Sequence, residues 1–169
     1  LDHPETAIGY SNLSSIHILN EDYEQARKNL EKSIDVRINA FGPDHPSLIQ
    51  PLISLGDLNS QQLNEYERSR VHYRAALEIA LERLGETHPT VTDIFIQLSN
   101  AFIGDDLYRE AEYHIDKALH NLYGEYDFSQ PIDMEKTVLY PIKLVRALGL
   151  KSLLILEVEK ESSFEDYQR

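Results

Sequence analysis

Histidine is the residue type whose recurrence first suggests chemistry in this sequence. His3, His45 and His88 each precede a proline, at spacings of 42 and 43 residues. Three imidazoles bind one zinc ion only if their nitrogens converge on it. These histidines lie a full repeat apart, and equivalent atoms of neighbouring helical units are about 10 Å apart. The pattern therefore favours a structural capping role and predicts neither a metal nor another cofactor.

The remaining candidates for catalysis are Glu110, Glu112, His114 and His120. Residues two apart point to different sides of a helix, and a separation of six also diverges, so these side chains cannot form one site. The sequence has no HExxH motif, no glycine-rich phosphate loop and no nucleophile elbow. It contains no cysteine, which excludes disulfides, thiolate zinc sites and a cysteine nucleophile. We therefore expect that this segment is not an enzyme.

Charge limits the classes of partner. The chain has 29 acidic and 16 basic residues, a net charge of −13. Such a surface repels nucleic acid and anionic membranes and favours a neutral to basic protein or peptide. No apolar run approaches the length of a membrane-spanning helix. The lack of cysteine fits a cytoplasmic protein, and the chain, which starts with leucine inside a repeat motif, is interpreted as part of a longer protein.

A repeat of 42 to 43 residues organises the chain. It is marked by Asp2-His3-Pro4, Asp44-His45-Pro46 and Thr87-His88-Pro89, and Pro131 follows 42 residues later. Each unit then carries a leucine nine residues after the proline, a tyrosine, and two small residues seven positions apart: Leu13, Tyr23, Ala26 and Ser33; Leu55, Tyr66, Ser69 and Ala76; Leu98, Tyr108, Ala111 and Ala118. Many positions recurring in register indicate a repeat architecture.

Each unit is predicted to form a helical hairpin. The proline suits the first turn of the first helix, and Gly42 suits a left-handed residue after the second. Apolar stripes are predicted at Ile8, Leu13, Ile16 and Leu19, and at Tyr23, Ala26, Leu30, Ile34, Ile38 and Phe41. Small pairs should let the two helices cross closely: Ser14 with Ala26, Gly56 with Ser69, and Ser99 with Ala111.

The units predicted from this pattern are repeat 1 (1–42), repeat 2 (43–85), repeat 3 (86–130) and an atypical, truncated fourth unit (131–169) with an inserted helix. Repeat 2 has one extra residue, assigned to the turn at 61–65. In the fourth unit we expect a helix at 134–147 interrupted by Pro141, a break at Gly149 and a helix at 150–160. The predicted fold is all-α, a right-handed α-solenoid of stacked antiparallel hairpins.

Over about residues 1–124 the sequence resembles the 42-residue tetratricopeptide repeats of the kinesin light chain type. The resemblance rests on Asn12-Leu13-Ser14, Tyr23-Glu24-Gln25-Ala26, and Ala76-Leu77-Glu78-Ile79 through Leu84-Gly85 to Thr87-His88-Pro89. Glu21 and Asp106 stand where the family has a turn glycine. The resemblance implies a non-catalytic solenoid that binds proteins.

One side of each first helix should line the concave surface of such a solenoid. Counted from Ser14, Gly56 and Ser99, the inward positions are Ile8, Asn12 and Ser15; Gln50, Ser54 and Asp57; and Asp93, Gln97 and Asn100. Side-chain amides there could bracket the backbone of an extended peptide, and the aspartates could favour a lysine or arginine. Alternatively, these are simply solvated polar residues. Related co-chaperone repeats clamp a carboxylate with lysine and arginine, but none of these nine residues is basic.

The predicted function is a protein-interaction scaffold or adaptor that binds an extended peptide or a partner domain. Two alternatives remain open: a structural or oligomerisation spacer, and a regulatory arm of a larger enzyme. The apolar residues around Ile8, Leu13 and Ile16, or the 150–156 segment, are expected to mediate self-association or contact with the rest of the chain.

Overall fold

The structure, a computed structural model, describes residues 3–123 and 147–157. Its helices are α1 (Pro4–Leu19), α2 (Tyr23–Phe41), α3 (Ile49–Asp57), α4 (Tyr66–Leu84), α5 (Pro89–Ile103) and α6 (Tyr108–Tyr123), with a 3₁₀ turn at Pro46–Leu48 and a π-helical turn at Leu58–Gln62. Residues 147–157 are also helical. Because the described ranges contain helices and no strand, the predicted all-α class is confirmed.

The helices pair as hairpins, α1 with α2, α3 with α4 and α5 with α6. They belong to two compact units that divide between Gly85 and Glu86, the first holding α1 to α4 and the second α5 and α6. Within the described ranges, no helix is both long and apolar enough to cross a membrane.

The His-Pro pairs begin the first helices in the way the sequence predicts. The Nδ1 atoms of His3, His45 and His88 accept hydrogen bonds from the backbone N–H two residues later, at 3.3, 3.2 and 3.2 Å. Each proline then occupies the first helical position, where its missing N–H costs nothing. The predicted capping role of the three histidines is confirmed.

The second hairpin starts differently from the other two. Its first turn, Pro46–Leu48, is 3₁₀, and the α-helix begins only at Ile49. Pro51 lies in the first turn of α3, and since it has no N–H it cannot donate to the carbonyl of Ser47. The proline thus explains the late start of α3, which the repeat pattern alone does not predict.

The extra residue of repeat 2 is not in the turn at 61–65, where the sequence predicts it. It is accommodated in the π-helical turn Leu58–Gln62, directly after α3. This position keeps Leu58 and Asn59 buried, and the carbonyl of Asn59 accepts a 2.7 Å hydrogen bond from the N–H of Glu65. The prediction was wrong by a few residues because burial favours widening the helix over lengthening the loop.

Two kinds of positive-φ residue end the helices. Glu21, Asn64 and Asp106 have φ of 60°, 53° and 58° in the turns between paired helices, so the departures from glycine keep a left-handed backbone. Gly42 and Gly85 have φ near 90° with ψ of 166° and 157°. That region is essentially restricted to glycine, but it is not the left-handed helical region predicted for Gly42.

Small residues lie where the paired helices cross, as predicted. In the first hairpin, Ser14 and Ala26 are buried, and the Ser33 hydroxyl donates to the carbonyl of Ala7 at 2.7 Å. In the third, the Ser99 hydroxyl donates to the carbonyl of Ala111 at 3.0 Å. In the second, a Cβ atom on Gly56 would lie 2.5 Å from Cε1 of Tyr73, so the aromatic ring requires glycine there.

The predicted apolar stripes are only partly buried. On α1 the stripe of Ile8, Leu13, Ile16 and Leu19 is exposed, and the helix instead buries Ala7 and Ser14. On α2, Ala26 and Leu30 form a core cluster with Leu55 and Leu58, whereas Ile38 and Phe41 are exposed. The stripes mark faces that pack when another helix adjoins them, so periodicity alone overestimates the core.

Most of the predicted fourth unit lies outside the described residues, including positions 134–146 of the predicted 134–147 helix and Pro141. The predicted break at Gly149 is wrong, since residues 147–157 form a continuous helical segment. Its Ala147 and Leu154 are buried, and Lys151 binds two acidic side chains of α6. These contacts stabilise a helix through a glycine that by itself weakens it.

Candidate functional site

The polar residues predicted to face a ligand in the first hairpin are accessible on α1. Asn12 and Ser15 are both exposed, while Ser14 between them is buried against α2. The hydroxyl of Ser15 lies 3.3 Å from the carbonyl of Ser11, to which it donates. This part of α1 therefore presents an amide and a hydroxyl to solvent, one turn from the helix crossing.

On α3, Gln50 is exposed, and Ser54 and Asp57 are half-buried. Asp57 has an internal role that its sequence position does not reveal. Its Oδ1 accepts a 2.7 Å hydrogen bond from the hydroxyl of Tyr73, the residue whose ring packs on Gly56. The carboxylate expected to attract a cationic partner thus also fixes the ring that closes the second hairpin.

The clearest arrangement of predicted site residues is on α5. Asp93, Gln97 and Asn100 are half-buried at spacings of four and three residues, which places them on one helical face. Nδ2 of Asn100 lies 3.4 Å from Oε1 of Gln97, a long hydrogen bond between the two amides. Most of the other α5 side chains are fully buried, among them Ile94, Leu98 and Ala101.

The residues first considered for metal binding or catalysis have structural contacts. His114 stacks on Phe102 with ring centroids 5.2 Å apart. Lys151 donates to Oε1 of Glu112 at 2.7 Å and to Oδ2 of Asp116 at 3.2 Å. Burial by itself lowers the pKa of Lys151, but its hydrogen bonds to the carboxylates of Glu112 and Asp116 and their negative charges outweigh it, so that its pKa is raised. Within the described ranges, no group of three histidine or acidic residues could hold a metal ion.

Sequence reasoning missed a polar pocket of about 310 Å³ in the first unit. We call it the α2–α4 pocket. It is lined by side chains of α2, α4 and the π-helical turn: Arg27, Glu31, Asn59, Arg68, Val71 and His72. Arg27 with Glu31, and Arg68 with His72, are four residues apart, so each pair shares a helical face, but the pairs lie about 40 residues apart in sequence. Only their convergence in the fold reveals the pocket.

Comparisons with known proteins agree with this architecture. Residues 5–80 match the sequence model of the tetratricopeptide repeat. The structure of BtubC (BKLC) from P. vanneervenii superposes with a TM-score of 0.67 at 16% identity, over 98% of this chain and 66% of that one. The kinesin light chain-like TPR repeats of a Podosopora anserina protein superpose with a TM-score of 0.64 at 14% identity, over 100% of this chain and 79% of that one.

No curated protein matches the sequence. The chain spans slightly less than two thirds of the BtubC structure. The resemblance predicted from the repeat motifs is confirmed, and the fold is an all-α tetratricopeptide solenoid. Tetratricopeptide repeats generally mediate protein–protein interaction and are typically non-catalytic.

Proposed function

We propose that this chain is an interaction scaffold that binds an extended segment of a partner protein through the polar faces of its first helices. The accessible stripe on α5 carries the proposal. After the first turn, the side chains of α5 that are not buried are Asp93, Gln97, Asn100 and Ile103, which follow one another at helical spacing. An otherwise enclosed helix with one accessible polar face is a suitable platform for a peptide.

The chemistry of this face sets the kind of partner. Because Nδ2 of Asn100 bonds to Oε1 of Gln97, the Asn100 oxygen is oriented to accept from an N–H of a peptide backbone. Asp93 adds a negative charge, and the chain as a whole carries −13. A neutral to basic segment fits these properties. The amides should set the register, and the charges should act mainly on the association rate.

Asn12 and Ser15 on α1, and Gln50, Ser54 and Asp57 on α3, are proposed to extend the same kind of recognition within the first unit. Their support is accessibility, since each is exposed or half-buried while its neighbours Ser14, Leu55 and Gly56 are buried. Because Asp57 also binds Tyr73, its replacement would affect stability as well as binding.

The test begins with selection of binding peptides from a random displayed library against the whole chain. The selected peptide is then titrated into variants at low and high ionic strength. The variant Asn100→Ala should lose affinity by about tenfold or more, the effect of removing a hydrogen bond to the ligand, with little change in melting temperature. Asp93→Lys should weaken binding most at low salt, where screening is least.

Glu78→Lys provides the matched control, because it makes the same charge change at an exposed position of α4. Equal losses of peptide affinity for Asp93→Lys and Glu78→Lys would show that only the overall charge of the protein matters. Parent-like affinity of all the first-helix variants would exclude this surface as the binding site.

A second candidate function, self-association, is favoured by the exposed apolar face of α1. Ile8, Leu13, Ile16 and Leu19 are all exposed there. Apolar groups clustered on one exposed helix face often mark a surface that binds a partner. Sedimentation velocity at increasing concentration should show a dimer that Ile16→Glu abolishes. A monomer at all concentrations in both proteins would exclude this candidate.

A further inference from the structure

The α2–α4 pocket holds two arginine side chains beside two carboxylates, those of Glu31 and Glu65. Nη2 of Arg27 and Nη1 of Arg68 both bind Oε2 of Glu65, at 2.7 and 3.1 Å. One carboxylate therefore bridges two guanidinium groups. A guanidinium has five N–H donors, and each of these bonds uses one. The pocket keeps donors of both arginines for a further acceptor.

Two buried polar atoms at this pocket have no hydrogen-bond partner among the described residues. They are Nε of Arg27 and Oδ1 of Asn59. Asn59 is 1% exposed and yet lines the pocket. The oxygen and nitrogen of an amide exchange on a half turn, so Asn59 can offer either an acceptor or a donor. Burying polar groups without partners is unfavourable, and a ligand that pairs with them would remove that cost.

The third hairpin shows what the equivalent helix face does there. Aligned through Ala26 and Ala111, Arg27 and Glu31 of α2 correspond to Glu112 and Asp116 of α6. Those two acidic residues bind the ammonium group of Lys151. In the third hairpin this face thus holds a charged side chain from another segment. In the first hairpin, arginine replaces one acid while Glu31 keeps the other, so this face offers guanidinium donors that the third hairpin lacks.

We propose that the α2–α4 pocket binds the carboxylate of an acidic residue in a partner peptide, with Arg68 and Arg27 as charged donors and the Asn59 amide as a neutral donor. Glu65 shows that a carboxylate suits the arginines of this pocket. A doubly charged phosphate would meet stronger repulsion from Glu31 and Glu65. The pocket belongs to second helices, so it is distinct from the first-helix surface and prefers the opposite charge.

His72 gives this site a pH-dependent signature. Burial, together with the charges of Arg27 and Arg68, lowers the pKa of His72. The charged groups around it are Arg27 and Glu31 on α2, Arg68 on α4, and Glu65 just before α4. A bound carboxylate favours the protonated imidazole, so binding takes up a proton. Affinity should therefore rise as the pH falls toward the lowered pKa of His72, as long as the peptide glutamates, with a pKa of about 4.3, stay ionised.

The probe is a labelled six-residue peptide with two adjacent glutamates, compared with the same peptide carrying glutamines. The whole chain is titrated by fluorescence anisotropy. Arg68→Gln should weaken glutamate-peptide binding by about tenfold or more, as expected for a charge-assisted hydrogen bond. Lys28→Gln removes the same charge from an exposed residue of α2 outside the pocket and should leave affinity within about twofold. His72→Gln should abolish the rise in affinity at lower pH.

Several results would overturn the proposal: equal binding of both peptides, parent-like binding by Arg68→Gln, or equal losses for Arg68→Gln and Lys28→Gln. Inorganic phosphate distinguishes the anion class, because binding of phosphate without binding of the glutamate peptide would contradict the carboxylate assignment. The NMR signal of the Arg27 Nε–H group in the parent protein provides a measurement that needs no variant. It should shift on addition of the glutamate peptide, and an unchanged signal would also overturn the proposal.

Discussion

The first helices of the first two hairpins, α1 and α3, carry the same pattern with opposite burial. Leu13 and Ile16 on α1 occupy the repeat positions of Leu55 on α3 and Leu58 at the start of the π-helical turn that follows it. Leu13 and Ile16 are 46% and 53% exposed, whereas Leu55 and Leu58 are each 2% exposed. Two helices with nearly the same apolar spacing therefore contribute very differently to the core.

The cause of the difference is the neighbouring helix. Leu55 and Leu58 pack with Ala26 and Leu30 of α2, the helix that precedes them. Among the described residues, α1 has its contacts with α2 on the face of Ala7 and Ser14, which is not the face of Leu13 and Ile16. In a repeat protein each hairpin is stabilised by its neighbours, so an apolar position predicts a packing face rather than a buried residue.

Truncation of the equivalent leucines, Leu13 and Leu55, should show the largest difference in stability between the two helices. Leu55→Ala should lower the free energy of unfolding by about 2–5 kcal/mol, because it leaves a cavity in the core. Leu13→Ala should cost less than about 1 kcal/mol, since an exposed side chain loses little contact. Urea denaturation followed by circular dichroism measures both. Equal losses would mean that the α1 face is covered in solution.

Each of these helices also contains a glycine, and the two should respond in opposite directions. Gly56→Ala should cost about 1–3 kcal/mol, because the added Cβ meets the ring of Tyr73. Gly9→Ala should stabilise by about 0.5–1 kcal/mol, since nothing lies within 4 Å of the added atom and alanine favours helix. Thermal unfolding measures the change. A stabilising Gly56→Ala would contradict the close approach of α3 and α4.

The capping histidines extend the comparison to the helix starts. His45→Ala should cost about 1 kcal/mol, because it removes the acceptor for the N–H of Ser47 and the stacking on Phe41. His3→Ala should cost about half as much, as His3 is exposed and its hydrogen bond is longer. Asparagine at either position should restore most of the stability that the alanine variant loses. An asparagine variant as unstable as the alanine variant would show that capping is not the histidine's contribution.

The smallest effects concern the turns that follow the two helices. Glu21→Gly should stabilise by about 0.5 kcal/mol, since glutamate in the left-handed region is strained. Asn64→Gly should bring no gain, because asparagine tolerates this conformation and its Oδ1 accepts from the hydroxyl of Tyr66. Melting curves of the two variants resolve the difference. A larger gain at Asn64 would contradict this account of the turns.

The sequence was sufficient for the features that depend on local chemistry repeated three times. The His-Pro pairs located the helix starts, and the small residues located the crossings, because both depend on steric rules that hold at every repeat. The exposed or half-buried positions of Asn12, Gln50 and Asn100 were likewise predictable from helical spacing. Their role in binding remains a prediction.

Features that depend on contacts distant in sequence could not be predicted. The bond between Tyr73 and Asp57 joins residues 16 apart, and the convergence of Arg27 with Arg68 depends on the packing of two helices. A net charge of −13 also gives no sign that two arginines meet at the α2–α4 pocket. The exposure of Leu13 depends on whether another helix packs on that face, and the apolar periodicity of the sequence is the same in both cases.

The π-helical turn Leu58–Gln62 has a consequence for how such arrays change length. In an α-helix each residue turns the chain by about 100°, so one insertion would rotate every later side chain to a wrong face. The wider π-helical turn limits this rotation to its own five residues. As a result, α4 still presents Ser69 to the helix crossing and Tyr73 to α3. Repeats of 42 and 43 residues can thus alternate in one array. An insertion or deletion at this point is absorbed where it occurs, and the side chains on either side keep their partners.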